Sequence, residues 1–126
     1  MARQAFRKEK LEKEIVREAS RIILYELKDP RLGFVTIMRA KVSKDFRYAK
    51  VYISVLGDDK KKRLTMRGLE HAKGFVQREL SSAIRLRNFP EIRFELDEST
   101  EKTFEVIRII DEATRGRDGN APSEEE

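Results

Sequence analysis

Leu11, Ile15, Ala19, Ile22, Ile23 and Leu27 recur at helical spacing with charged side chains between them, a pattern that predicts an amphipathic helix over residues 7–27. Pro30 disfavours helical geometry in the residue before it, and Gly33 follows as a turn residue. The helix should therefore stop at Lys28 or Asp29, leaving "DPRLG" as a connector. Past the connector the period falls to two. Residues 34–43 and 48–56 are rich in Val, Ile, Tyr, Phe and Thr, and the polar "SKDFR" of 43–47 divides them, which reads as an antiparallel hairpin. In the second strand Ala49, Val51, Ile53 and Val55 share one face, and Tyr48, Lys50, Tyr52 and Ser54 the other. The first strand alternates less cleanly, so pattern alone leaves its inward face open.

"GDDKKKR", residues 57–63, is a turn into a second helix with Leu64, Leu69 and Ala72 among its apolar positions. Gly74 interrupts it. Glycine inside a helix costs about 1 kcal/mol relative to alanine, so the expectation is a break at Ala72, Lys73 and Gly74. A further helix should follow, with Phe75, Val76, Leu80, Ala83 and Ile84 on one face and Arg78, Arg85 and Arg87 largely off it. Pro90 ends that region. "EIRFELD", residues 91–97, alternates Ile92, Phe94 and Leu96 with Arg93 and Glu95, as a half-buried strand does. Ser99 offers an N-cap to a last helix carrying Phe104, Ile107 and Ile110. The closing "GRDGNAPSEEE" is too polar to pack and is expected to be disordered. The domain reading is one folded unit over 1–115 and an acidic tail over 116–126. Helix, strand, strand, helix, break, helix, strand, helix is most economically an α+β fold, a three-stranded sheet with helices packed on one face.

At 126 residues the chain has room for one core. It has no cysteine and one histidine, His71, which leaves no thiolate chemistry and little for zinc. No apolar run approaches the ~20 residues of a membrane span, and the basic "MARQAFRKEK" lacks the apolar segment of a secretory signal. A cytoplasmic protein without a membrane partner is expected. Charge changes the picture most: Asp, Glu, Lys and Arg make up 40% of the chain, with a net charge of +5. One of the 28 bases and four of the 23 acids fall in the tail, leaving 27 against 19 before it. Such an excess favours polyanions through counterion release, and it equally describes a heavily solvated surface of the kind found in proteins from hot environments.

Enzymatic signatures are missing: there is no dinucleotide fingerprint, no P-loop, no nucleophile elbow and no second histidine. No enzyme activity, cofactor, metal or small-molecule substrate is expected. The basic clusters say more. Lys60, Lys61, Lys62 and Arg63 open the second helix, where the helix dipole disfavours cations. Arg85, Arg87 and Arg93 surround a helix end, suited either to bidentate phosphate pairing or to ion pairs with Glu91 and Glu95. A break at Ala72-Lys73-Gly74 would expose the first unpaired N–H groups of the following helix and add the Lys73 charge, an anion site in outline. That arrangement follows the logic of KH domains, although the Gly-x-x-Gly loop is absent.

"KDPRLG" at 28–33, "VSKDFRYAKVYISVLGD" at 42–58, "AKGFVQREL" at 72–80 and "IRLRNFPEIRFELDEST" at 84–100 together resemble the bacterial ribosome-binding factor A family, over about residues 7–110. The resemblance implies a type II KH-like domain in which Ala72, Lys73 and Gly74 match a helix-kink-helix. It implies a non-enzymatic factor that binds the small ribosomal subunit, promotes late maturation of 16S rRNA, including 5′-end formation, and serves cold adaptation. The expected RNA contacts are Ala72, Lys73, Gly74 and Arg78, with Arg85 and Arg87, and with Arg31, Lys61, Lys62 and Arg63. A monomer is expected. The rival readings are a protein-interaction adaptor docked on the ribosome and, more remotely, an rRNA-processing nuclease.

Overall fold

The computed structural model describes residues 2–98. Its order is α1 (Ala2–Tyr25), β1 (Phe34–Val42), β2 (Tyr48–Leu56), α2 (Asp59–Ala83) and β3 (Glu91–Leu96). The strands form one sheet in the order β1-β2-β3, with β1 antiparallel and β3 parallel to β2. The α+β fold with a three-stranded sheet is as the sequence predicts.

Apolar spacing selects the buried face of α1: Ile15, Ala19 and Ile22 are fully buried, and Leu11 and Ile23 nearly so. The helix ends at Tyr25, short of the expected Lys28 or Asp29. The N–H groups of Glu26 and Leu27 both reach back to the Ile22 carbonyl, at 2.9 and 3.2 Å. This closing turn swings Leu27 against the core. Glu12 on α1 accepts the Val42 N–H at 2.8 Å, so the helix also satisfies a backbone donor of the edge strand β1.

In β2 the alternation is as expected, with Ala49, Val51, Ile53 and Val55 buried. The irregularity of β1 has a cause. Its pairing with β2 shifts between Ile37 and Arg39, leaving Met38 as an inserted residue, so Ile37 and Ala40 both turn inward across an odd spacing. The hairpin turn is fixed by its own polar groups. Ser43 Oγ accepts from the N–H groups of Arg47 and Tyr48 and donates to Asp45 Oδ1 at 2.8 Å. Within this turn Phe46 takes φ +61°, strained for an aromatic residue, and its ring packs against the core.

Two expectations about α2 are corrected. It is one helix: no break divides it at Gly74, whose φ is not positive, so no unpaired N–H groups emerge there. Burial of Leu69, Val76 and Leu80 on both sides of the glycine outweighs its propensity cost of about 1 kcal/mol. The helix also stops at Ala83, with Ile84 extended at φ −113°, ψ 107°, so Arg85 and Arg87 lie in the loop before β3. At the other end Asp58 caps the helix through the Lys61 N–H at 2.9 Å, and Asp59 occupies the first turn. These two carboxylates offset the unfavourable dipole that the Lys-rich start meets.

Both helices cover the same face, α1 lying over β1 and α2 over β2 and β3. Gln77 joins α2 to the start of β3, donating from Nε2 to the Pro90 carbonyl and accepting the Ile92 N–H, both at 2.8 Å. Thr65 does the same for the connector, donating to the Arg31 carbonyl and accepting the Gly33 N–H, both at 3.3 Å. The predicted last helix and acidic tail lie outside the described residues.

Candidate nucleic-acid interface

Buried positions on α2 face the sheet, so its opposite side carries Lys60, Arg63, Arg67, His71, Gly74 and Arg78 at intervals of three or four residues. All are exposed. They form one stripe about 27 Å long at 1.5 Å per residue. Gly74 is a gap in it, and Arg78 lies alongside: a Cβ placed on the glycine would meet only Arg78 Nη1, at 3.7 Å.

The predicted contacts fall into separate groups. Arg63 shares a cleft of about 890 Å³ with Arg31, Lys62, Arg67 and His71, together with Asp59, Glu70 and Glu98. Lys62 is buried at 7% exposure, and the stem of Lys61 runs beside Gly33 and Gly57. Arg31 is committed to Asp29, which accepts its Nε at 3.0 Å and its Nη2 at 2.6 Å. The Arg31 side-chain and backbone N–H groups hold the Asp29 carboxyl down to about 2 from its ordinary 3.8. Ala72 packs toward the core, while Lys73, its side chain one-third exposed, pairs with Glu70 at 3.5 Å. Arg87 belongs elsewhere, in a cleft of about 820 Å³ with Arg7, Lys10 and Arg47. Arg85 is exposed on the same loop.

Gly68 marks the close approach that Gly74 does not. A Cβ there would lie 3.1 Å from Leu32 Cδ2 and 3.4 Å from Asp29 Oδ2, so the connector rests directly on the helix backbone. The membership of Lys60 and Arg67 in one stripe was available from spacing alone, since 60, 63, 67, 71, 74 and 78 keep the helical interval once the helix is continuous. No helix among the described residues is long and apolar enough to cross a membrane.

Comparison with known proteins agrees with this architecture. The family model described as Ribosome-binding factor A matches residues 7–110. Ribosome-binding factor A of Acetivibrio thermocellus is 43% identical over 118 residues, covering 93% of this chain and 96% of that one. The solution NMR structure of a Thermotoga maritima protein assigned as a ribosome binding factor A is 42% identical, with a TM-score of 0.67 over 75% of this chain and 91% of that one. A Thermus thermophilus ribosome binding factor A homology model, fitted into the cryo-EM map of a 30S complex of that factor, is 26% identical with a TM-score of 0.61, covering 73% of this chain and 97% of that one. With most of its length matched by the family model and by a relative of this identity, the chain belongs to the ribosome-binding factor A family.

Proposed function

We infer that the protein is a cytoplasmic, monomeric assembly factor that binds the small ribosomal subunit through 16S rRNA and works by binding energy alone. The observation that carries this is the exposed cationic stripe from Lys60 to Arg78 in a chain of this family. Its charge suits an RNA backbone, where each neutralised phosphate releases counterions. The Thermus thermophilus relative fitted into a 30S complex supports the small subunit as the partner. Promotion of late 16S maturation, 5′-end formation and cold adaptation rest on the family resemblance. Occupancy drives maturation only if the factor prefers one rRNA arrangement, since equal affinity for two shifts neither. The KH-like reading draws support from the element order and the one-sided helical layer. Its anion site, however, is the side-chain stripe and not a set of amides opened at a break.

A chemical footprint of the bound protein on small-subunit rRNA tests this, with a protected RNA segment expected. Cosedimentation with the subunit without any protected nucleotide would overturn direct RNA contact. A specific observation favours the adaptor as second reading: Phe34 and Leu56, paired across the hairpin, are 79% and 71% exposed. Loss of subunit binding in Leu56→Ser, with the cationic variants unaffected, would establish it instead.

A further inference from the structure

The sheet face opposite the helices carries a second cationic surface. Lys41 on β1 stands opposite Lys50 on β2, and Lys50 opposite Arg93 on β3, so three bases form one row across all three strands. Like charges placed directly opposite destabilise a sheet. On β2 the row is flanked by Tyr48 and Tyr52, and each ring has a guanidinium over it: Arg93 at 3.9 Å from the Tyr48 centroid and Arg39 at 4.1 Å from Tyr52. Between them runs a trough of about 520 Å³, lined by Lys41, Lys44, Lys50, Arg93, Tyr48 and Tyr52, with Lys8 of α1 at its border and no carboxylate in its lining. Of the nearby acids, Glu91 pairs with Arg93 at 3.8 Å and Asp97 with Arg39 at 2.6 Å, and Glu95 stands opposite Tyr52 on β3, outside the trough lining.

We propose that this trough binds a single-stranded segment of RNA, with unpaired bases stacking on the Tyr48–Arg93 and Tyr52–Arg39 planes and Lys41, Lys44 and Lys50 holding the phosphates. The proposal rests on the rRNA-binding reading above and assigns it a second surface. Flat aromatic and guanidinium groups interleaved with lysines suit a strand whose bases are free to splay out. Along a duplex the base faces stay stacked inside, leaving phosphates, 2′-hydroxyls and base edges but no plane for a tyrosine to stack on. The local repulsion in the row has its compensation when the polyanion is bound, which is where sequence preference and fold stability are expected to conflict.

The chain has no tryptophan and three tyrosines, two of them on this face, so tyrosine emission reports the site directly. The full chain is titrated with a short oligouridylate, with a blunt RNA duplex and with inorganic polyphosphate as a polyanion without bases. The single strand should quench tyrosine emission strongly, and the other two should not. Tyr48→Leu, which keeps apolar bulk, should weaken the single strand roughly tenfold. Lys41→Ala with Lys50→Ala should lower the slope of log K against log salt by about 0.7 per residue. Unquenched tyrosines, or a Tyr48→Leu protein that binds the oligonucleotide as the parent does, would overturn the proposal. So would a mass doubling that buries this face. Cosedimentation with small subunits is run in parallel: if it persists while the oligonucleotide leaves the tyrosines unquenched, the trough proposal alone falls. If cosedimentation fails while quenching holds, the trough stands and the small-subunit reading falls.

Discussion

Arg39 reaches over the ring of Tyr52 to Asp97, its guanidinium carbon 4.1 Å from the ring centroid and its Nη1 2.6 Å from the carboxylate. The pair ties β1 to the residue just past β3 across the strand between them, joining positions 58 apart in sequence. Arg39 is half exposed, but the Asp97 side chain is only 7% exposed. Arg39→Ala should therefore cost about 1 kcal/mol, the upper end for exposed pairs, because it withdraws a partner from a largely buried carboxylate. Urea unfolding at neutral pH measures this, and an unchanged midpoint would show the pair to be idle.

The two helical glycines should respond oppositely to alanine. Gly74 lies within α2 without a positive φ, and a Cβ there would meet only Arg78 Nη1 at an ordinary contact distance of 3.7 Å, so Gly74→Ala should stabilise by up to about 1 kcal/mol. At Gly68 the new methyl would press on Leu32 and on an Asp29 already fixed by Arg31, and overpacking should cost about 1 kcal/mol net of the propensity gain. Thermal melts of both variants decide it; a destabilised Gly74→Ala protein would reinstate a break.

Gln77 satisfies two backbone groups 13 and 15 residues away with one side chain. Gln77→Ala should cost about 2 kcal/mol, since the Pro90 carbonyl and the Ile92 N–H both lose a part-buried partner. Gln77→Glu keeps the acceptor and loses the donor, so its denaturation midpoint should fall between those of the parent and the alanine variant.

The Asp29 carboxyl is held at about 2 in the folded chain, chiefly by the Arg31 side chain, against an ordinary 3.8. A depressed carboxylate contributes stability above its unfolded pKa and loses it as pH falls through the folded value. The stability gap between the parent and Asp29→Asn should therefore be constant at neutral pH, shrink below about pH 4 and close near pH 2. A gap that does not change across that window would remove the pair from the connector's support.

Salt dependence separates the two cationic groups on the helical side. Arg63→Ala with Arg67→Ala should flatten the slope of log K for small-subunit binding by roughly 0.7 to 0.9 per lost phosphate contact. Arg85→Ala with Arg87→Ala removes charges that do not share the α2 stripe, and should leave the slope nearer the parent's. The reverse ranking would move the interface to the loop before β3.

The hairpin, the connector and the faces of β2 were legible because each depends on near neighbours: period-two alternation, and the Pro30 and Gly33 punctuation. The course of α2 through Gly74 was not, since a local cost of about 1 kcal/mol is decided by the burial of Leu69, Val76 and Leu80 against strands far away in sequence. The same holds for Met38, whose insertion appears only once β1 is paired. Half of the sheet-face site was in view, because Tyr48, Lys50 and Tyr52 share a face by alternation. Its third column, Arg93, required the parallel pairing of β3, which no local pattern encodes. Among the α2 bases, a helix imagined in two pieces hid the run that joins Lys60 to Arg78.

Because α1 and α2 lie on the same side of the sheet, the α2 stripe and the tyrosine-lined trough look in opposite directions through one helix-on-sheet layer. A protein gripping RNA with both would act as a gauge of fixed width, setting two stretches of rRNA roughly 20 Å apart. Maturation that brings those stretches together would then have to expel it, so departure of the factor would itself report that the RNA had closed.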